Sequence, residues 1–211
     1  MLRIIGILIK LSKLLLARSS NKVSIENMDV AELLRQYQNG IKDFSGINLV
    51  GAIFKNTDLH QIVFSQAILT ETNFTGANLV NANFYLALLN LSNLSEAIMT
   101  GANLKSAALK SALLYRVSCS KAQFQDADLE GAILKRAFLR EGNFSRANLM
   151  HSDLSQANLI DADLTGANLT GANLDKTFLQ GANLSNVNLT GVNLDRAILT
   201  GAIMPNGKIF S

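Results

Sequence analysis

The sequence is poor in several residue types that ordinary globular domains use freely. Among its 211 residues it has one cysteine, Cys119, one proline and no tryptophan, and 17% of the residues are charged, against about a quarter in typical domains. A single cysteine excludes an intramolecular disulfide and a zinc cluster built from cysteines. The restricted residue usage indicates a repeated pattern rather than a mixed globular sequence.

The chain has instead a unit of five residues, seen most clearly in residues 152–194, in which a small residue is followed by Asn or Asp and then by Leu. A central Leu, Phe, Met or Cys occupies every fifth position from Phe44 to Met204 without an insertion. A period of five fits neither a helix nor a coiled coil nor a continuous strand. It predicts a solenoid, a class of fold that buries its inward residues by stacking one coil on the next.

The position of each residue type within the unit predicts the shape of one coil. In an extended segment the small residue and the central residue point to one side, and the Asn or Asp between them points to the other. The remaining two residues, often Ser or Thr and then Gly, have the composition of a turn. Each unit therefore predicts one short straight side followed by a corner, with Asn or Asp outside.

Units such as residues 162–166 (ADLTG) and 172–176 (ANLDK) resemble those of the pentapeptide repeat protein family. The resemblance covers about three-quarters of the chain, residues 41–204. It implies an all-β solenoid, a right-handed quadrilateral β-helix with four units in each coil. On that basis the repeat region would form about eight coils and a rod of roughly 40 Å at ~4.8 Å per rung.

Residues 28–40, which precede the repeats, are predicted to form a short capping α-helix from about Val30 to Asn39. Asp29 and Glu32 have the spacing of a capping box, and Gly40 stands where a helix commonly ends. The first coil of a solenoid otherwise exposes its apolar cross-section and needs a cap. Leu33 and Leu34 are predicted to cover this opening.

Residues 205–211 form a C-terminal tail that departs from the five-residue pattern at a turn. We expect Ile209 and Phe210 to fold back over the last coil. Family members whose last coil is bare can dimerise end to end, so the chain is expected to be a monomer or an end-on homodimer.

Residues 1–27 form a leader for which the sequence leaves two interpretations. Arg3, Lys10 and Lys13 would lie on one side of a helix, and the first 20 residues contain no acid, which is typical of a helix on an anionic membrane surface. The lysines interrupt the apolar run that a membrane span or a signal peptide needs. The other interpretation is a disordered extension. The expected location is the cytoplasm or a membrane periphery, with secretion left open.

No group of residues predicts catalysis, a cofactor or a metal site. Cys119 occupies a central position and is expected to be a buried spacer rather than an exposed nucleophile. His60 and His151 fall on different sides of a four-sided coil. Neighbouring acids such as Asp161 and Asp163 do not form a pair, because Asp163 occupies the outward Asn/Asp position. The sequence therefore predicts a protein that is not an enzyme.

An apolar group of outward residues on the third coil is the clearest departure from the polar exterior. Tyr85, Leu86, Leu88 and Leu91 lie on this coil and Ile68 lies one rung below, and we call these five residues the apolar patch. A contiguous exposed apolar surface is typical of a protein-binding site. The alternative is that these side chains lie along the rungs and cover one another.

A second departure is a basic bias between residues 105 and 146. Tyr115, Arg116, Lys135 and Arg136 fall on one side of the coil and form a candidate basic patch. Nucleic-acid binding would need a stronger excess of positive charge, so scattered solvated charge is the favoured interpretation.

The family resemblance implies one further candidate function, mimicry of DNA at type II topoisomerases such as gyrase. A 40 Å length of duplex would carry ~23 negative charges, whereas residues 41–204 contain 13 acidic and 12 basic residues. The near-neutral rod favours a non-enzymatic protein-interaction scaffold with an unidentified protein as its partner. A regulatory role is compatible with such a scaffold. The alternatives are the DNA mimic and a structural protein anchored to a membrane surface.

Overall fold

The computed structural model describes residues 28–211, and the leader with Arg3, Lys10 and Lys13 lies outside this range. In the repeats the outward residues from Asp43 to Asn183, apart from Asn173, pair in parallel with the residue 20 positions later, as Asp43 does with Val63 and Asn183 does with Ile203. Twenty residues are four units of five, so one turn of the coil has four sides. Each side is short and contributes one bridge residue to each rung rather than a continuous strand.

We number the four sides by their first bridge residue. The first side carries Asp43 and the residues at intervals of 20 after it, the second carries Asn48, the third carries Ile53 and the fourth carries Asp58. In the middle coils the backbone of each side is hydrogen-bonded to the coils on both sides of it. In the first coil, the Phe44 N–H donates to the carbonyl of Val63 at 2.8 Å on the next coil.

The corners from Gly46 to Gly191 each have a residue in the left-handed conformation, two positions after the central residue. At Leu86 and Leu91, for example, φ is 58° and 60°. The turn is closed by a hydrogen bond such as that from the Ala52 N–H to the Leu49 carbonyl, 3.1 Å long. A residue other than glycine costs about 1 kcal/mol or more in this conformation, which explains why Gly recurs at these positions.

The outward Asn or Asp stabilises the corner that follows it. Asn73 Oδ1 accepts a hydrogen bond from the Thr75 N–H at 2.9 Å. Asp163 Oδ1 accepts from both the N–H and the hydroxyl of Thr165, at 2.9 and 2.6 Å. Such Asx turns are a local property of Asn and Asp. The preference for these residues therefore has a structural cause beyond facing water.

The interior is a continuous column of central residues with alanines between them. Phe rings stack along it, with centroids 5.2 Å apart for Phe54 and Phe74 and 4.6 Å apart for Phe124 and Phe144. Cys119 is fully buried in this column. Burial raises the pKa of its thiol, which confirms the prediction of an inert spacer.

The helix α1 spans Val30–Gln38. Asp29 accepts a hydrogen bond from the Glu32 N–H at 2.8 Å, as an N-cap residue does. The prediction that Glu32 would reach back to complete a capping box is wrong. Its carboxylate accepts hydrogen bonds from Arg35 and Gln36 instead. These bonds lower the pKa of Glu32 to about 2, and the bond from Arg35 has the larger effect.

The helix is attached to the first coils by both apolar and polar contacts. Leu33 is fully buried in the same core as the repeat residues, while Leu34 is half-buried against it. The Tyr37 hydroxyl donates to the carbonyl of His60 at 3.0 Å. The ammonium group of Lys42 lies 3.4 Å from the centre of the Tyr37 ring.

The C-terminal tail returns along the last coil as a short antiparallel pairing of Ile203 with Ile209. The Phe210 N–H donates to the carbonyl of Ala202 at 2.8 Å. Ile209 nevertheless remains 71% exposed, and Leu194 beside the last rungs is only half-buried. The tail therefore closes the end of the rod through backbone bonds more than through burial.

We predict that Leu33→Ala lowers the free energy of unfolding by about 2–5 kcal/mol, because it leaves a cavity between α1 and the first coil. Urea denaturation measures the loss, and hydrogen exchange locates it at the N-terminal coils. Leu34→Ala, which removes a half-buried side chain, is the matched control and should cost less. Equal losses for the two variants would contradict a covering role for Leu33.

Candidate interaction surfaces

The structure brings the residues of the apolar patch together at one level of the rod. Leu88 lies on the second side, paired with Ile68 on the coil before it. Leu86 and Leu91 occupy the two corners that bound this side, and Tyr85 lies next to Leu86 at the end of the first side. Four of the five are exposed, Leu91 by 55%, and Ile68 is half-buried.

Mutual cover explains only part of the apolar patch. Ile68 and Leu88 are on adjacent rungs and can shield one another, but Leu86 and Leu91 project from corners. Leu88 also occupies the position in which Asn or Asp would stabilise the corner, and its side chain has no oxygen to do so. The patch therefore costs the fold a local hydrogen bond and leaves apolar area in water.

The candidate basic patch lies where the third side meets the fourth. Arg116 and Arg136 are corner residues on successive coils, and Tyr115 and Lys135 precede them on the third side. Arg136 donates from Nε to Gln156 Oε1 at 2.9 Å and from Nη1 to the Tyr115 hydroxyl at 3.4 Å. The arginine is thus held in place by neutral groups.

A recess beside these arginines was missed by the sequence analysis. Its volume is about 610 Å³, and its walls include Phe138 and Phe178 on the fourth side. The two rings are 53% and 39% exposed. Both occupy the outward Asn/Asp position and are 40 residues, or two coils, apart. Comparing outward residues at intervals of 20 would have found them.

Most of the other charges in the middle coils are paired. Arg146 makes two 2.7 Å hydrogen bonds with Asp126, which lower the pKa of that carboxyl. Lys110 lies 2.9 Å from Glu130 and 3.3 Å from Asp128, and both carboxylates raise its pKa. The basic bias is therefore largely neutralised away from the corner that carries Arg116 and Arg136.

Residues 28–211 contain no cluster of His, Cys, Asp or Glu that could hold a metal ion. None of the helices in the described part of the chain has the length and apolar character that a membrane crossing requires.

The family model of pentapeptide repeats matches the chain in eight copies, with matched segments between residues 67 and 206. The chain therefore belongs to the pentapeptide repeat family. It is 31% identical to HetL from the cyanobacterium Nostoc sp. strain PCC 7120, a pentapeptide repeat protein involved in the regulation of heterocyst differentiation. That match covers 87% of this chain and 100% of HetL, with a TM-score of 0.32.

The fold is also similar to that of a trypsin-treated variant of QnrB1, a plasmid-mediated fluoroquinolone resistance protein. The TM-score is 0.71 at 17% identity, over 78% of this chain and 84% of that one. This likeness concerns the β-helix alone. Among curated proteins, none matches the sequence significantly.

We predict that Phe138→Asn and Phe178→Asn leave the thermal unfolding midpoint unchanged or raise it. Asn158, which lies between them on the same side, accepts from the Ile160 N–H at 3.1 Å, and a new Asn can make the same bond, worth about 1 kcal/mol. Circular dichroism during heating measures the midpoint. Phe124→Asn, which places an amide in the core, is the destabilising control. A comparable loss in the surface variants would show that the exposed rings support the fold.

Proposed function

We propose that this protein is a non-enzymatic protein-interaction scaffold, and that the apolar patch is one of its binding surfaces. The observation that carries the proposal is the exposure of Leu86, Leu88 and Leu91 together at one level of the rod, with the exposed Tyr85 beside them. The partner expected there is a protein that presents a complementary apolar surface. A regulatory role fits the same activity, because occupying a partner's surface is enough to control it.

The rigid scaffold supports this proposal. Every side of the repeat is tied to the next coil by backbone hydrogen bonds, so the patch is presented without an ordering cost on this chain. Preorganised side chains lose little entropy on binding, which favours affinity from a small area. The half-buried Ile68 extends the patch to the coil below.

We predict that the triple change Leu86→Ser, Leu88→Ser and Leu91→Ser abolishes co-purification of the native partner. The substitutions remove the apolar area that would be buried, and they do not touch the core. The measurement is affinity purification from the native cell, followed by quantitative mass spectrometry of proteins enriched with the unaltered chain.

Ile53→Ser is a matched control, because Ile53 is an exposed aliphatic residue on another side of the rod. It should leave the enrichment unchanged. The proposal fails if the triple variant, with an unaltered circular dichroism spectrum, retains every partner that the unaltered chain enriches.

DNA mimicry is the second candidate, suggested by the family and by the fold similarity to QnrB1, which confers fluoroquinolone resistance. The charges oppose it. Two of the acids that a mimic would present to a DNA-binding protein are engaged by arginines of this chain, in the pairs Asp161 with Arg140 and Asp175 with Arg196.

We predict that the purified protein leaves DNA gyrase supercoiling unchanged at concentrations that saturate its own partner. The reason is the absence of the dense negative charge with which duplex DNA attracts its ligands. A gel assay of plasmid supercoiling, with and without a fluoroquinolone, measures this. Inhibition of gyrase or protection from the drug would favour the mimic over the scaffold.

A structural protein anchored to a membrane surface is the third candidate, and it depends on residues 1–20, outside the described part of the chain.

The two oligomeric states expected are a monomer and an end-on homodimer through the half-covered last coil, where Leu194 and Phe210 are accessible. Neither proposal alters the role of the apolar patch, which lies on the side of the rod.

A further inference from the structure

The recess on the fourth side has an internal geometry suited to receiving side chains. Phe138 and Phe178 are two rungs apart, about 9.6 Å, and Asn158 occupies the rung between them. The rings are too far apart to cover one another, so each leaves a face in water. Ala137, next to Phe138 in the chain, also lines the recess. The result is an apolar depression with a polar amide at its centre.

One edge of this depression is positively charged. Arg116, Arg136 and Lys176 are corner residues that line the recess. Arg116 has a single loose contact, 3.9 Å from Nη1 to Glu96 Oε1. Within residues 28–211, neither Arg136 nor Lys176 lies within 4.0 Å of a carboxylate oxygen. This edge therefore offers two cations, Arg136 and Lys176, that no carboxylate of residues 28–211 neutralises.

The other edge of the fourth side is different. Arg140 lies 3.0 Å from Asp161 and 3.4 Å from Glu141, and Lys121 lies 3.6 Å from Glu141. The cations there are already neutralised. An anionic ligand would be attracted to the edge with Arg136 and Lys176, next to the exposed rings.

The backbone of this side cannot take part in recognition. The Leu139 N–H donates to the carbonyl of Asn158, and the Leu159 N–H donates to that of Phe178, both at 2.8 Å. A ligand cannot add to the side as a further strand, because these groups are already paired. Recognition must come from the side chains of the recess and its basic edge.

From this geometry we propose that the recess binds an extended acidic peptide in which carboxylates alternate with apolar side chains. Alternate residues of an extended chain point in opposite directions, so one set faces the basic edge and the other enters the depression between the rings. Arg116 and Lys176 are three rungs apart, about 14 Å, and residues i and i+4 of an extended peptide are separated by about 13 Å. Five residues therefore match the site.

The limits of the basic edge favour a peptide over a nucleic acid. At one end of this edge, the corner one coil before Arg116 carries Glu96. At the other end, the corner one coil after Lys176 carries Arg196, which is paired with Asp175 at 3.2 Å. The three cations of this edge, Arg116, Arg136 and Lys176, thus occupy only about 14 Å of the rod, whereas grooves for single-stranded nucleic acid follow the backbone over roughly 4–16 nucleotides. The peptide proposal shares with the scaffold proposal the premise of protein binding, but it concerns the opposite side of the rod.

The probe for a direct test is a fluorescein-labelled peptide Gly-Glu-Leu-Glu-Leu-Glu-Gly, titrated with the full chain and followed by fluorescence anisotropy. Saturable binding is expected, and it should weaken as salt is raised because exposed ion pairs are screened. The pair Arg136→Gln and Lys176→Gln should reduce affinity about tenfold, as should Phe138→Asn with Phe178→Asn.

The control variant Lys121→Gln with Arg140→Gln removes two cations from the opposite edge of the same side, and it should leave affinity unchanged. Control peptides with Gln for Glu, or with Ser for Leu, should bind at least about tenfold more weakly. The proposal is overturned if the peptide does not bind, or if the opposite-edge control loses as much affinity for it as the Arg136 and Lys176 variant does. Tighter binding of a labelled single-stranded oligonucleotide would also overturn it. The Leu86, Leu88 and Leu91 variant should bind the peptide normally, so failure here leaves the apolar patch untouched.

Discussion

The hydrogen bonds between successive coils are the constraint on which the rest of the structure depends. In the middle coils the N–H of a central residue donates to a carbonyl on the next coil, as Leu139 does to Asn158, and the N–H of an outward residue donates to a carbonyl on the coil before, as Asn158 does to Ala137. One added residue would shift the following central residues from the interior to the surface, because neighbouring residues of an extended side point in opposite directions. The chain therefore keeps its period without an insertion from Phe44 to Met204, and its sides differ only in their side chains.

The same constraint decides where function can be placed. In the middle coils the backbone of the sides is paired and the central column is filled, so ligands there can be recognised only by outward and corner residues. The fold already assigns the outward position to Asn or Asp, which stabilise the next corner. Leu88, Phe138 and Phe178 give up that bond and expose apolar area, and the stability of the fold does not account for them. The proposal that these residues bind partners would account for both costs.

The sequence predicts the scaffold well because one period controls it. The inward central residues, the buried Cys119 and the corners follow from the order of residue types within five positions. The number of sides did not follow, since a period of five is compatible with several polygons, and it required the family resemblance. The bonds of Glu32 were mispredicted because Arg35 and Gln36, three and four residues later, compete with the helix N-terminus for its carboxylate.

The recess escaped prediction for a different physical reason. Phe138 and Phe178 lie 40 residues apart in the chain, and only the 20-residue register places them on the same side of the rod. Residues that are close in sequence therefore do not reveal the recess. The apolar patch was easier to find because Leu86, Leu88 and Leu91 are close in sequence. The pairing of Arg136 with Gln156 and Tyr115 depends on rotamers that a repeat pattern leaves undetermined.

The position of the two surfaces on one continuous core has a consequence for the scaffold. Leu88 is on the second side and Phe138 on the fourth, two and a half coils further along, or about 12 Å in the axial direction. A partner on one surface therefore does not cover the other. Because the core between the two surfaces is packed, their separation is fixed. Two ligands bound on opposite sides would therefore be held at a constant distance and orientation. A rigid spacing raises the effective concentration of one bound partner near the other without any contact between the two surfaces. The regular coils between the surfaces then act as the spacer that sets this distance.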